Sequence, residues 1–432
     1  MVKQNPKKPE QKKSDDSKPT SLSDHFLGKN RPLVQSMLKN QEVVSIHSAK
    51  NSHRESLENA LDNQLTKNEE LEAKLDQLRI FKKEQIEIIQ KKDLSKTFSL
   101  PEIFSELTLL AEVILDRALK LAEEEVRKTY GVPSLIDNDG NRSHSELAVI
   151  GMGKFGGAEI HYGSDLDLIF LYSRNGNTEG RKKISNQEFY AKLIQKLISY
   201  LSVYTSQGTA YKIDTQLRPS GNQGTLIASL DSFAQYQRDM AQSWEKQALL
   251  KARVVTGHPH FKKNLEKLMV QFIFSNPIPN DLNQQMHKLR MRMEKEIAKE
   301  NSRRLHYKLG LGGLADIEFA VQYIQLKMGK IFQSLLTPNT LEALEKMGER
   351  EIFKKEEYET LKSNYLFYRN LEMRMETTFD LRNGYLDPES PLLENLSEVM
   401  EETSEQDLIE KFQEVRKKTR EVYLRILKIE SL

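Results

Sequence analysis

The chain of 432 residues carries 65 Lys+Arg against 63 Asp+Glu, a formal net charge of +2, so no global field steers it toward nucleic acid or an anionic membrane. Cysteine is absent, which excludes disulfides, thiolate nucleophiles and thiolate metal sites and leaves any metal to oxygen or imidazole ligands. No stretch approaches the ~18–20 apolar residues needed to span a bilayer, so the expectation is a soluble, cytoplasmic protein with no membrane and no nucleic-acid partner.

Residues 1–22 are rich in Lys, Pro and Ser and nearly free of large apolar side chains, and are expected to form a disordered tail. A helical region is expected over 23–130. From Ser52 onward, Leu57, Leu61, Leu65, Leu71, Leu75 and Leu78 recur mostly at four-residue steps and predict one long amphipathic helix. Ser99 and Glu102 have capping-box spacing, Pro101 suits a first helical turn, and Leu107, Leu110, Ile114 and Leu121 continue a second apolar stripe.

The texture changes at Gly131, where Pro133, Asp137, Asn138, Gly140 and Asn141 predict a loop before the apolar run Leu147 to Ile150. Asp165 to Tyr172 and Tyr211 to Leu217 are further candidate strands, separated by an apolar helix over Phe189 to Val203. Beyond Gly257 the helical period dominates over Asn283 to Arg304, Ala315 to Met328, Leu341 to Leu371 and Glu405 to Leu427. The expected architecture is α+β: a central domain over 131–270 with a small mixed sheet, flanked by N-terminal helices and by a C-terminal helical bundle over 271–432.

Gly151, Gly153 and Gly156 match the dinucleotide fingerprint, but Gly157 to Ser164 has no apolar helical period to supply its crossover helix. Glycines at this density suit a backbone approached closely by a ligand, with a purely structural turn as the rival. Asp165 and Asp167 stand two apart at the head of an apolar run, so strand alternation places both on one face, about 6–7 Å apart, where oxygen ligands suit Mg²⁺. Asp214 could reach the same metal, act as a base, or pair with Lys212 or Arg218. Arg218, Lys251 and Arg253 could contact phosphates; a turn brace for Arg218 and solvation for the others are the alternatives. Asp316 and Glu318 either complement a helix dipole or border a nucleotide cleft, and the run Lys288 to Arg304 reads as an exposed helix laced with i to i+4 pairs.

Met152-Gly153-Lys154, ten residues, then Asp165-Leu166-Asp167, with Asp214 on a later strand, resembles the polymerase β nucleotidyltransferase superfamily, with Lys154 in place of its Gly or Ser. The blocks LAVIGMGKFGGAEIHYGSDLDLIFLY (147–172), YKIDTQLRPSGNQGTL (211–226), SWEKQALLKARVVTG (243–257) and GGLADIEFAVQYIQL (312–326) resemble the glutamine synthetase adenylyltransferase/adenylyl-removing family. The wording around His161 to Asp165, Trp244 to Leu249 and Gly313 to Phe319 is closer to the AMP-attaching half, and the chain holds one such half. The resemblance implies a polymerase β-like nucleotidyltransferase domain that moves AMP from ATP, with Mg²⁺, to a tyrosine of glutamine synthetase, with signal protein PII as a further partner. It implies that Asp165, Asp167 and Asp214 hold metal, and that the backbone from Gly151 to Gly157 and at Gly163 and Ser164 faces the phosphates together with Arg218 and Lys251.

Overall fold

The computed structural model describes residues 41–136 and 142–429; the expectation for residues 1–22 lies outside them. The chain divides into two units, 1–56 and Leu57–Leu432, of which the second is compact. Among the described residues no helix is long and apolar enough to cross a membrane.

Three helices lead: α1 (Gln41–Leu65), α2 (Leu71–Leu94) and α3 (Leu100–Tyr130). The single long helix expected from the leucine repeat is therefore two, broken over residues 66–70. The predicted cap of α3 is present: the Glu102 carboxylate accepts from the Ser99 amide at 2.7 Å and from its hydroxyl at 2.6 Å. Two short strands, β1 (Pro133–Ile136) and β2 (Arg142–His144), pair antiparallel where the glycine- and proline-rich sequence had suggested only a loop.

The central sheet is built from β3 (Leu147–Gly151), followed by a single helical turn α4 (Gly153–Gly156), then β4 (Leu166–Tyr172). After β5 (Asn177–Thr178), which joins β1, come α5 (Asn186–Ser202), β6 (Ile213–Asp214), β7 (Ile227–Ser229), α6 (Leu230–Asp239), α7 (Ser243–Leu249) and β8 (Arg253–Gly257). β3 runs antiparallel to both β4 and β8, while β6 and β7 pair parallel to successive parts of the outer edge of β4. An antiparallel β3–β4 pair is incompatible with the parallel βαβ unit of a dinucleotide fold, so the glycine loop serves a different sheet.

Alternation along these strands divides the core. Leu147, Val149, Leu168, Phe170 and Tyr172 pack with α3 and α5, whereas Ala148, Ile150, Ile169 and Leu171 join the apolar layer of the later helices. Each such Leu or Ile stabilises the fold by about 1.5–3 kcal/mol relative to exposure. Asp167 shares the parity of Ile169 and Leu171, so the fold turns it toward the C-terminal helices.

Those helices are α8 (Pro259–Ile273), α9 (Leu282–Arg292), α10 (Leu314–Met328), α11 (Thr340–Glu349), α12 (Lys355–Phe379), α13 (Leu393–Val399) and α14 (Glu405–Leu427), with the two-stranded pair β9 (Leu305–His306) and β10 (Tyr385–Leu386) among them. Two expected helices are interrupted. The one predicted to Arg304 passes into a π-helical segment, Met293–Ala298, and stops at Lys299 in the left-handed region, because Glu300 is drawn inward to Arg416 and to the amides of His306 and Leu311. The stretch from Leu341 to Leu371 breaks at Glu351, with φ of 53°, and restarts at Lys355.

Candidate active site

The glycine loop, the head of β4 and helices α10 and α12 enclose a cavity of 680 Å³. Gly153, Gly163, Ser164, Asp165, Asp167 and Lys251, all predicted site residues, line it. Gly151, Gly156, Asp214 and Arg218 do not. The Gly151 position is packed against Phe155 and Val255, and a Cβ at Gly156 would collide with the carbonyls of Lys251 and Gly151, so both glycines permit close packing. Arg218 donates to the Thr215 carbonyl and hydroxyl, each at 2.7 Å, and thus braces its own turn. That turn is also why the third predicted strand shrinks to two residues: the Asp214 carboxylate accepts from the Gln216 amide at 2.7 Å and bends the chain out of the ladder.

Asp214 nevertheless sits beside Asp167, since β6 and β4 pair in parallel with these two residues in register. Burial raises the Asp167 carboxyl to about 6, with the charges of Asp214 and Asp165 adding to the effect and Lys154 opposing it. Asp165 and Asp167 therefore line the cavity while Asp214, beside Asp167 but outside the lining, adds its charge, and a divalent cation would relieve the repulsion among them. Gly153 adopts φ of 53°, and a Cβ there would lie 2.7 Å from Asp167 Oδ2. Gly153→Ala is expected to strain the loop by about 1–2 kcal/mol and displace the carboxylate. A loss of activity larger than the loss of thermal stability checks it; an unaffected enzyme would show that the loop tolerates the methyl.

The basic residues around the cavity are mostly matched. Lys154 forms an ion pair with Glu372, Lys308 pairs with Glu372 at 2.8 Å and Glu376 at 3.1 Å, and Lys251 pairs with Glu159 while donating to Thr340 Oγ1 at 2.7 Å. Arg253 pairs with Glu112 at 2.6 Å and donates to the carbonyls of Gly156 at 3.0 Å and Phe155 at 3.1 Å, bracing the loop from behind. Glu372 also receives Arg369 at 2.6 Å, and His161 lies within 3.3 Å of Glu376. Burial and the Lys154 charge lower the His161 pKa, so its ring is neutral, whereas Lys154 and Arg369 hold Glu372 ionised despite full burial. Among the described residues His161, Glu372 and Glu376 are the one set of three potential ligands whose ligand atoms lie within 4.8 Å of one another, and Lys154 and Lys308 already occupy it.

The two acids of α10 have separate fates. Asp316 is fully buried between Arg290 at 2.6 Å and Arg420 at 3.0 Å, so part of the supposedly solvated basic run is a core ion cluster. Glu318 lines the cavity, its pKa raised by burial and opposed by Lys251. Sequence reasoning did not identify Glu376, Lys308 or Arg382 as cavity residues, nor Glu372 as the buried partner of Lys154 and Lys308; all lie well over a hundred positions from the glycine loop.

Residues 24–268 match the family model described as glutamate-ammonia ligase adenylyltransferase, and residues 280–427 match that of GlnD PII-uridylyltransferase. Among curated relatives, the bifunctional glutamine synthetase adenylyltransferase/adenylyl-removing enzyme of Thioalkalivibrio sulfidiphilus is 35% identical over 323 residues, covering 73% of this chain and 33% of the relative. The enzymes of the same description from Neisseria meningitidis serogroup A and Acinetobacter baylyi are 34% and 37% identical, covering 75% and 63% of this chain and 35% and 30% of their own lengths. The chain thus spans about a third of the length of the relatives it matches.

Proposed function

Because the chain belongs to the glutamate-ammonia ligase adenylyltransferase family, we propose that it transfers AMP from ATP to a tyrosine hydroxyl of glutamine synthetase, in the cytoplasm. The observation that carries this reading is the placement of Asp165 and Asp167 at the cavity floor with Asp214 in register beside them. Residues 131–270 carry the chemistry and the helices of 271–432 present the protein substrate. Asp165, Asp167 and Asp214 would hold Mg²⁺, which supplies charge neutralisation to the phosphate oxygens. Gly163 and Ser164 contribute cavity-lining backbone, and Leu217, Ala248 and Met293 offer an apolar wall to the base. The tyrosine oxygen forms a bond to the α-phosphorus as the bond to the bridging oxygen breaks and pyrophosphate leaves; Asp214 takes the hydroxyl proton. The match of residues 280–427 to the PII-uridylyltransferase model supports signal protein PII as a regulatory partner.

Incubation with glutamine synthetase, Mg²⁺ and α-labelled ATP tests the reading: label is expected on glutamine synthetase, and its absence there overturns it. Adenylylated glutamine synthetase with millimolar inorganic phosphate is expected to yield hardly any ADP. Brisk ADP release would move the chain to the removing class.

A further inference from the structure

A second chamber, of 490 Å³, adjoins the main cavity, and the two share Gly163, Ser164, Asp165, Lys212 and Arg382 as a common wall. The rest of it is formed by Lys82 of α2, Tyr162, the segment Thr209 to Tyr211, and Asp380. The cations of the two spaces differ in a way that bears on where a polyanion is neutralised. Lys154, Lys251 and Lys308 in the main cavity are each held by a buried glutamate. Lys82 and Lys212 have no ion-pair partner among the described residues, and Arg382 has a loose one, Asp380 at 3.4 Å, whose side chain is 86% exposed. The Lys82 ammonium donates to the Ala210 carbonyl and lies 4.1 Å from the centre of the Tyr211 ring, which fixes it at the chamber wall. Burial, with the Arg382 charge adding to it, depresses its pKa to about 8.

We propose that this chamber is an oligophosphate subsite, in which Lys82, Lys212 and Arg382 take the pyrophosphate end of the nucleotide and the free pyrophosphate product. The identity of the nucleotide rests on the adenylyl-transfer reading; the anion site itself rests on the geometry. One consequence is that an N-terminal helix, α2, completes a site that Asp165, at the head of β4, also lines. Charge-assisted contacts to phosphate are the strong ones, and loss of one is expected to weaken binding about tenfold or more.

Titration calorimetry of the full chain with sodium pyrophosphate, and separately with AMP, in Mg²⁺ buffer tests this. Lys82→Met and Lys212→Met should each weaken pyrophosphate binding by about tenfold or more while leaving AMP binding within about twofold. Lys82→Arg should restore most of the affinity. Should Lys82→Met fail to fold, Arg382→Met removes a half-exposed cation of the same wall and carries the same comparison. Unchanged pyrophosphate affinity in variants that melt as wild type overturns the proposal. So does a raised KM for glutamine synthetase with pyrophosphate binding intact, which would assign the chamber to an acidic acceptor segment and leave the transferase reading standing. Lys82-dependent pyrophosphate binding in a chain that never labels glutamine synthetase would uphold the subsite and sink that reading.

Discussion

Asp165→Asn or Asp167→Asn should reduce AMP transfer about a hundredfold or more, the equivalent of a few kcal/mol of transition-state stabilisation, while the protein remains folded. Asp165 is exposed at the head of β4 and Asp167 is half-buried, so neither carries core packing. Both line the cavity, and no other aspartates do. Asp167→Asn has an additional consequence for stability in metal-free buffer. Its folded-state carboxyl titrates at about 6 against an ordinary value of 3.8, so between those values the folded protein binds more protons than the unfolded chain and stability falls as pH rises. Above pH 6 the ionised carboxylate costs on the order of 1–3 kcal/mol, which the amide removes. The variant should therefore melt higher than wild type at pH 7.5 and alongside it at pH 4. Near-normal label transfer by either soluble variant would take the pair out of the metal site, and a lower melting point for Asp167→Asn at pH 7.5 would contradict the electrostatic account.

Glu372→Gln is expected to be the most destabilising single change near the site, by about 3–5 kcal/mol, read as a fall in the urea midpoint or melting temperature. The carboxylate is fully buried and is the shared partner of Lys154, Lys308 and Arg369. Neutralising it leaves Arg369, itself 1% exposed, beside two ammonium groups without its direct carboxylate partner. The Arg369 guanidinium also donates to the Glu159 carbonyl, so the disturbance reaches the segment between the glycine loop and Asp165. Activity should fall with stability and should not return when assayed at low temperature, since Lys154 of the loop loses its anchor on α12. A variant within 1 kcal/mol of wild type would mean that water or Glu376 replaces the lost charge.

The sequence alone carried those features whose physics is local. Alternation put Asp165 and Asp167 at the head of β4 on one face, capping-box spacing located the start of α3, and the missing crossover period after Gly157 argued correctly against a parallel βαβ unit, because each signal lies within about one element's length. Tertiary structure decided what charge means. Lys154 and Glu372 are 218 positions apart and no local pattern joins them; full burial of Glu372 makes the pair a bridge between sheet and bundle. The same holds for Arg290, which by pattern belongs to an exposed basic run, and for Asp316, which by pattern either complements a helix dipole or borders a cleft: the two are enclosed together in the core. A helical period reports which face is apolar and says nothing of which polar residues another element will cover. Long-range desolvation sets whether Lys251 meets a glutamate or a phosphate, whether Asp167 holds its proton near pH 6, and which cations are left facing an anion.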